Sequence, residues 1–456
     1  MMNDQENKTA ALYQHAKTRR QIPPELFERY GVKRGLRNDN GTGVLAGLTE
    51  IGEVYSYIMD DGERVPCEGH LFYHGIDVED LVHGFYDEKR FGFEETTYLL
   101  LFGELPTQKE LDVFNASLRC NRDLPENFLE DLILKHPSRD IMNKMARSVL
   151  NLYASDDNAD DISPENVFIQ CVRLIARFPA LAAYGYMAKS HYIDKKSLFI
   201  HAPRPEYNTA ENLLYLIRPD GHFTELEARV LDLALVLHAD HGGGNNSTFV
   251  TRAVTSTGTD TYSAIAAALG SLKGPQHGGA SGKAYAMMQD LKANVSNWRS
   301  EDELSDYLTR LLTRQAFDHS GLIYGIGHAV YTLSDPRAKL LRDYARQLAY
   351  VSHMDDEYQL YLDVERLAPA VFSQIKNSDK QVCANVDFFS GFVYKMLGIP
   401  EELYSPIFAV ARISGWSAHR LEELISGGRI MRPAYKSIAR RRAYTPMENR
   451  LGSEKP

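Results

Sequence analysis

The sequence predicts an all-α protein, mainly helical, with one small N-terminal β-hairpin, and three observations carry that prediction. Extended, aromatic-rich runs occur once, between Val54 and Ile76, around the turn signal Asp60-Asp61-Gly62. After them, glycine, proline and capping residues punctuate one helix-length segment after another. Some of those segments are apolar on nearly every side, which suits the interior of a helical stack rather than its surface.

The elements follow in order. Residues 1–45 read as a polar arm. Phe93 to Leu101 forms a helix stopped at Gly103-Glu104-Leu105-Pro106, and Thr107 caps the next. The acidic run from Asp156 to Asp161 reads as a solvated loop. Leu226 to Asp240 is a buried helix ending at Gly242-Gly243-Gly244, which puts His241 at its C-terminal edge. Asp260 to Leu272 is an alanine-rich helix broken by Gly274-Pro275, and another begins near Ala280 and runs past Met288. Asp335-Pro336 pairs an N-cap with proline at the first helical position and opens a helix through Ala349. Ser405-Pro406 repeats that signature before Ile407 to Ile425. No repeat of fixed period is present.

A chain of 456 residues is about three times a typical domain length, so two domains are expected. A formal charge of -10 speaks against non-specific nucleic-acid binding, which needs clustered cations. The four cysteines, Cys67, Cys120, Cys171 and Cys383, form no C-x-x-C pair, so neither a zinc knuckle nor a disulfide framework is indicated, and a reducing, cytoplasmic compartment fits. Met1 to Lys17 includes Asp4 and Glu6 and lacks an apolar core, unlike a targeting segment. No uninterrupted apolar run reaches membrane-spanning length.

Three stretches carry chemistry. His277 lies in Gly274-Pro275-Gln276-His277-Gly278-Gly279, where the glycines let backbone approach a ligand closely. His328 follows Gly325-Ile326-Gly327, but Val330 stands where a third glycine belongs and no βαβ unit surrounds it, so a dinucleotide loop is rejected. Asp387 begins an apolar helix, where it is either an N-cap or a base whose burial offsets the helix dipole. Two imidazoles and a carboxylate in one site can remove a proton beside a carbonyl and stabilise the oxygen that gains charge, with no metal.

Arginines supply the rest. Arg337 sits at the second position of its helix, where a cation is disfavoured unless an anion is near; pairing with Asp335 is the alternative. Arg412 interrupts the apolar run around Ile407 and Ile413, and a buried arginine needs an anion. Arg432 precedes Pro433 in a basic tail. Together the three can clamp a dicarboxylate, since guanidinium forks match carboxylates. His238-Ala239-Asp240-His241 has no third partner at metal-ligand spacing, H-E-x-x-H is absent, and no G-x-S-x-G elbow occurs.

At these residues the chain resembles the citrate synthase family. The resemblance rests on His238-Ala239-Asp240-His241 with Asn245 and Ser247, the 274–280 loop, Gly325 to Tyr331 with Asp335-Pro336-Arg337, and Ala384 to Gly391. Thr96 to Pro106 and Gly415-Trp416-Ser417-Ala418-His419 are further family-like stretches, and the likeness runs from about Tyr55 to Lys436. It implies a citrate synthase-like two-domain homodimer: an arm over 1–45, a large helical domain from 46–278 plus 395–456, and a small one over 279–394. It implies condensation of acetyl-CoA with oxaloacetate through an enol, then hydrolysis of citryl-CoA, with propionyl-CoA and 2-methylcitrate synthesis as the alternative.

By the same resemblance His277, His328 and Asp387 are catalytic, and His241, His328, Arg337 and Arg412 bind oxaloacetate. Arg432 is contributed by the partner subunit. Gly325, Ile326 and Gly327 touch CoA. Acetyl-CoA is a substrate, and neither a cofactor nor a metal is implied. The chain departs from the family pattern at Gly242, where many relatives carry glutamate, at Thr332, where many carry a cation, and at Cys383-Ala384 in place of Tyr-Pro. Lys339, Arg342 or Arg346 are then the candidates for the CoA phosphates.

Overall fold

The structure is a computed structural model that describes residues 9–10, 12–14, 16–17, 22–38, 41–60, 63–378 and 381–450. Strands β1 (Gly52–Asp60) and β2 (Glu63–Tyr73) pair antiparallel from Gly52↔Tyr73 to Asp60↔Glu63. The expected hairpin gains a third strand, β3 (Ile76–Asp77), because His74 and Gly75 both adopt positive φ and fold the chain straight back. Asp61 and Gly62, the predicted turn, lie outside the described residues.

From Val78 onward the structure is helical. The helices are α1 (Val78–Asp87), α2 (Phe93–Phe102), α3 (Gln108–Cys120), α4 (Ile141–Tyr153), α5 (Pro164–Tyr192), α6 (Thr209–Ile217), α7 (Glu225–His238) and α8 (Asn246–Thr255). They continue as α9 (Thr261–Leu272), α10 (Ala280–Asn294), α11 (Glu301–Leu312), α12 (Pro336–Val351), α13 (Asp355–Lys376), α14 (Val386–Met396) and α15 (Tyr404–Ile425). The punctuation acts as the residues dictate. Gly103 closes α2 in the left-handed conformation, Thr107 forms a capping box with Glu110, and Asp335 caps α12 ahead of Pro336.

Two local readings change, and one helix adds a feature that the apolar runs do not show. Ser405 does not cap α15: the helix starts at Tyr404, Ser405 Oγ donates to Gly278 O at 2.8 Å, and Pro406 lies in the first turn, where no N–H is needed. The acidic loop is not merely solvated, because Asp156 accepts from Gln170 (2.9 Å) on α5 and Tyr262 (2.7 Å) on α9 and so clamps them together. And α5 is long and apolar enough to cross a membrane, but most of its apolar stretch is buried in this fold, against α4, α6 and α15.

Packing explains where a site can form. α15 runs through the interior against α2, α5, α7 and α8, burying Trp416 and Arg412 completely. α14 packs on both α10 and α12, α11 packs on α13, and α12 also leans on α7. The 240–242 turn and the 325–331 loop therefore meet where these two groups of helices touch, and the 274–279 turn lies against α8 and α15.

Candidate active site

Backbone geometry fixes His328. Its loop is pinned by an antiparallel bridge in which Gly327 N–H donates to Cys383 O (2.7 Å) and Asn385 N–H to Gly325 O (2.8 Å). Gly325 is at φ 80°, and a Cβ there would fall 2.8 Å from the Phe388 backbone, so no other residue fits. Nδ1 of His328 accepts the N–H groups of Val330 (3.0 Å) and Tyr331 (3.1 Å). Two donors on one ring nitrogen leave the proton on Nε2, so the ring is a neutral N–H donor. Burial, with Arg337 adding to it, pushes its pKa down to about 4.

His241 follows α7 and packs edge-on against His328, with ring centroids 5.2 Å apart. Tyr331 stacks on His328 at 4.7 Å. The departure at Gly242 has a geometric cause: it sits at φ 74°, and its N–H donates to Asp240 Oδ2 at 2.7 Å. Burial, then Arg337 and His328, hold His241 well below the usual histidine range, and its Nε2 is buried without a partner.

His277 projects from the turn between α9 and α10. Its Nε2 lies 3.0 Å from Ser247 Oγ, which receives the Trp416 Nε1–H at 3.1 Å. Phe408 covers the ring at 6.1 Å between centroids. Burial, then Arg412, lower its pKa to about 4.

The two buried arginines differ. Arg337 donates from Nε (3.0 Å) and Nη2 (2.7 Å) to the two oxygens of Asp335, the local pairing weighed from the sequence. Arg412 donates only from Nε, to His238 O at 2.7 Å, and lies 4.8 Å from the Phe408 ring. Its Nη1 and Nη2 are buried with no hydrogen-bond partner. Burial lowers it to about 10, opposed chiefly by Asp240.

Asp387 is not the cap of α14. Asn385 holds that position, accepting Asp387 N–H at 3.0 Å, so the Asp387 carboxylate is left for other work. It is half-buried, and burial raises its pKa to about 6 although Arg337 and Arg412 both pull it down. Arg337 thus acts on His328 and Asp387, and Arg412 on His277 and Asp387, which brings the three chemical groups around one pair of guanidiniums.

Not every expected residue joins them. Arg432 is exposed on the segment after α15. Gly325 O, Ile326 N and both backbone groups of Gly327 are already bonded within the chain, so this loop offers shape more than donors. Of the proposed CoA cations, Lys339 lies 3.6 Å from Glu79, and Arg342 pairs with Asp343 and Glu365. Among the described residues no group of three His, Cys, Asp or Glu side chains is arranged around a metal position. Sequence reasoning missed the Tyr331 stack and Arg37 of the arm, whose charge reaches His328.

A poised carboxylate beside neutral imidazole donors is suited to enolisation next to a carbonyl, and the class of protein this defines is a carbon–carbon condensing acyltransferase. The sequence pattern described as "Citrate synthase, C-terminal domain" matches residues 39–434. The chain is 35% identical over 386 residues to a citrate synthase of Deinococcus radiodurans, covering 84% of this chain and 93% of that protein. It is 32% identical over 386 residues to a 2-methylcitrate synthase of Shewanella oneidensis, covering 83% and 92%. Its fold matches the ternary complex of carboxymethyl coenzyme A and oxaloacetate with citrate synthase from Thermoplasma acidophilum, with TM-score 0.73, 26% identity, and 92% and 99% of the chains covered. The chain belongs to the citrate synthase family, and its function is that of a citrate synthase.

Proposed function

We propose that Asp387, His277 and His328 condense acetyl-CoA with oxaloacetate as base, enolate-side donor and ketone-side donor. Asp387 takes a methyl proton of the thioester; a carboxylate raised to about 6 is still ionised at neutral pH and is a stronger base than a solvated one. Ser247 Oγ accepts from Trp416 and lies 3.0 Å from both Asn245 Oδ1, to which it donates, and His277 Nε2, which holds the His277 ring toward the oxygen that gains charge. His328 offers Nε2–H to the oxaloacetate ketone. The enol carbon attacks that ketone, and water then cleaves the citryl thioester to citrate and CoA.

The observation that carries this reading is Arg412. Two N–H-bearing nitrogens of a fully buried guanidinium have no protein partner, a costly arrangement unless an anion completes it. A carboxylate of oxaloacetate is that anion, with His241 Nε2 beside it. Arg337 contributes its charge while its fork stays on Asp335.

The reading extends to assembly. Lobes 46–278 plus 395–456 and 279–394, preceded by the arm 1–45, close on the substrates and exclude water during condensation. Ile430, Tyr435, Ile438 and Tyr444 are exposed after α15, alongside Arg432. A second copy covers this tail, making a homodimer in which Arg432 reaches the partner's site. Four free cysteines fit a cytoplasmic enzyme. Thiol release from acetyl-CoA should require oxaloacetate; release without it, or faster release from propionyl-CoA, overturns the assignment, since one methylene is worth only about 1–3 kcal/mol in an apolar pocket.

A further inference from the structure

A buried line of polar groups behind His241 has no part in the steps above. Asp240 and His419 are fully buried, and Arg252 is 7% exposed. Arg252 donates to His419 Nδ1 from Nε (3.1 Å) and Nη2 (2.7 Å). A guanidinium has no lone pair to offer, so Nδ1 accepts and the imidazole proton resides on Nε2. Nε2 lies 3.2 Å from Asp240 Oδ1, and Asp240 Oδ2 accepts the Gly242 N–H at 2.7 Å. At the outer end Arg252 is anchored by Glu422 and by Glu423 at 3.1 Å. Reversing the tautomer would set an N–H against the guanidinium, so the line has one polarity.

The space around Asp240 admits no alternative. A Cβ on Gly52 would lie 2.4 Å from Oδ2, and one on Gly415 2.6 Å from Oδ1. The Tyr73 hydroxyl, on β2, donates to Val236 O at 2.9 Å and lies 3.3 Å from Asp240 O. The next residue is His241, whose Nε2 is free of protein partners.

We propose that His419 is a positioning residue for the oxaloacetate side of the site: locked as a neutral imidazole between Arg252 and Asp240, it holds the 240–242 turn and thereby aims His241. This rests on the reading of His241 as an oxaloacetate contact. His419→Leu removes both hydrogen bonds, whereas His419→Gln retains both, its carbonyl accepting from Arg252 and its amide donating to Asp240. Oxaloacetate affinity is measured by calorimetry without thioester, together with KM for each substrate.

His419→Leu should weaken oxaloacetate roughly 10-fold, because small misplacements of a positioned group are magnified in a site, while KM for acetyl-CoA moves less than about twofold. His419→Gln should recover most of the loss. Wild-type oxaloacetate affinity in His419→Leu overturns the proposal, as does a glutamine variant as weak as the leucine one. Should His419→Leu not fold, Arg252→Met strips both donors from Nδ1 and should weaken oxaloacetate about threefold; unchanged affinity there also overturns it. His241→Ala separates the two ideas, since intact oxaloacetate binding in that variant defeats the contact reading whatever His419 does.

Discussion

Arg337 and Arg412 are equally hidden from water, yet one is closed within the fold and the other is open. Arg337 is 3% exposed and Arg412 0%, so burial does not distinguish them. Their partners do. Arg337 has both fork nitrogens on Asp335, which also accepts the Val386 N–H at 3.2 Å and so ties α12 to α14. Arg412 has two nitrogens on nothing. A buried ion pair is a folding element, whereas a buried unpaired cation is a recognition element, and the same residue type serves both roles in this fold.

The largest effect expected from breaking this contrast is on stability. Arg337→Leu strands the fully buried Asp335 carboxylate, and removing one member of such a pair costs about 3–5 kcal/mol. Chemical denaturation should show that loss. Arg412→Met removes an uncompensated charge instead, so its melting temperature should equal or exceed that of the wild type. Equal destabilisation in the two variants would erase the distinction.

Asp387 lies within the field of both arginines and tests what they serve. Asp387→Asn should lower kcat by about 10²–10⁴-fold, the range for loss of a positioned base, with oxaloacetate affinity retained. Stability should respond with the opposite sign. The folded protein holds this proton up to about pH 6, above the ordinary value near 3.9, so the carboxylate burdens the fold progressively as pH rises between about 4 and 6. Below that window the burden is absent. The asparagine variant should therefore gain roughly 2–3 kcal/mol at pH 7.5 and nothing at pH 4.

The smaller binding effect belongs to Arg412→Met. Loss of a charge-assisted pair should raise the oxaloacetate Kd by about 2–3 kcal/mol in free energy, or some 30- to 150-fold. The acetyl-CoA KM should change little. A variant that binds oxaloacetate normally would show that the unpartnered nitrogens answer to some other need.

The same arginines mark how far the sequence could be read. The Asp335–Arg337 pairing is visible in the chain because only Pro336 separates the partners across a helix start. That Arg412 lacks a partner is not visible, since it depends on what α7 and α8 bring alongside α15. Helix ends were legible wherever one residue decided them, as at Gly103 and Thr107. They were not at Ser405, whose hydroxyl goes to Gly278 O on a distant turn, nor at Asp387, whose expected capping duty Asn385 performs. Candidate chemistry at His277 and His328 came from glycine-flanked motifs, but the neutral tautomer of His328 rests on two backbone N–H groups that only the folded loop aims.

The subtlest expected effect is a pH shift. His277 and His328 both lie near 4, so neither titrates between pH 5 and 8, and the acidic limb of kcat/KM should belong to Asp387 alone. It should fall about tenfold per pH unit below pH 6. Burial sets that value from above, and Arg337 and Arg412 hold it down. In Arg412→Met one of the two cations is gone, so the limb of the residual activity should move to higher pH. A limb that stays fixed would mean that the unpaired guanidinium does not reach the base, and that its charge acts on the oxaloacetate side alone.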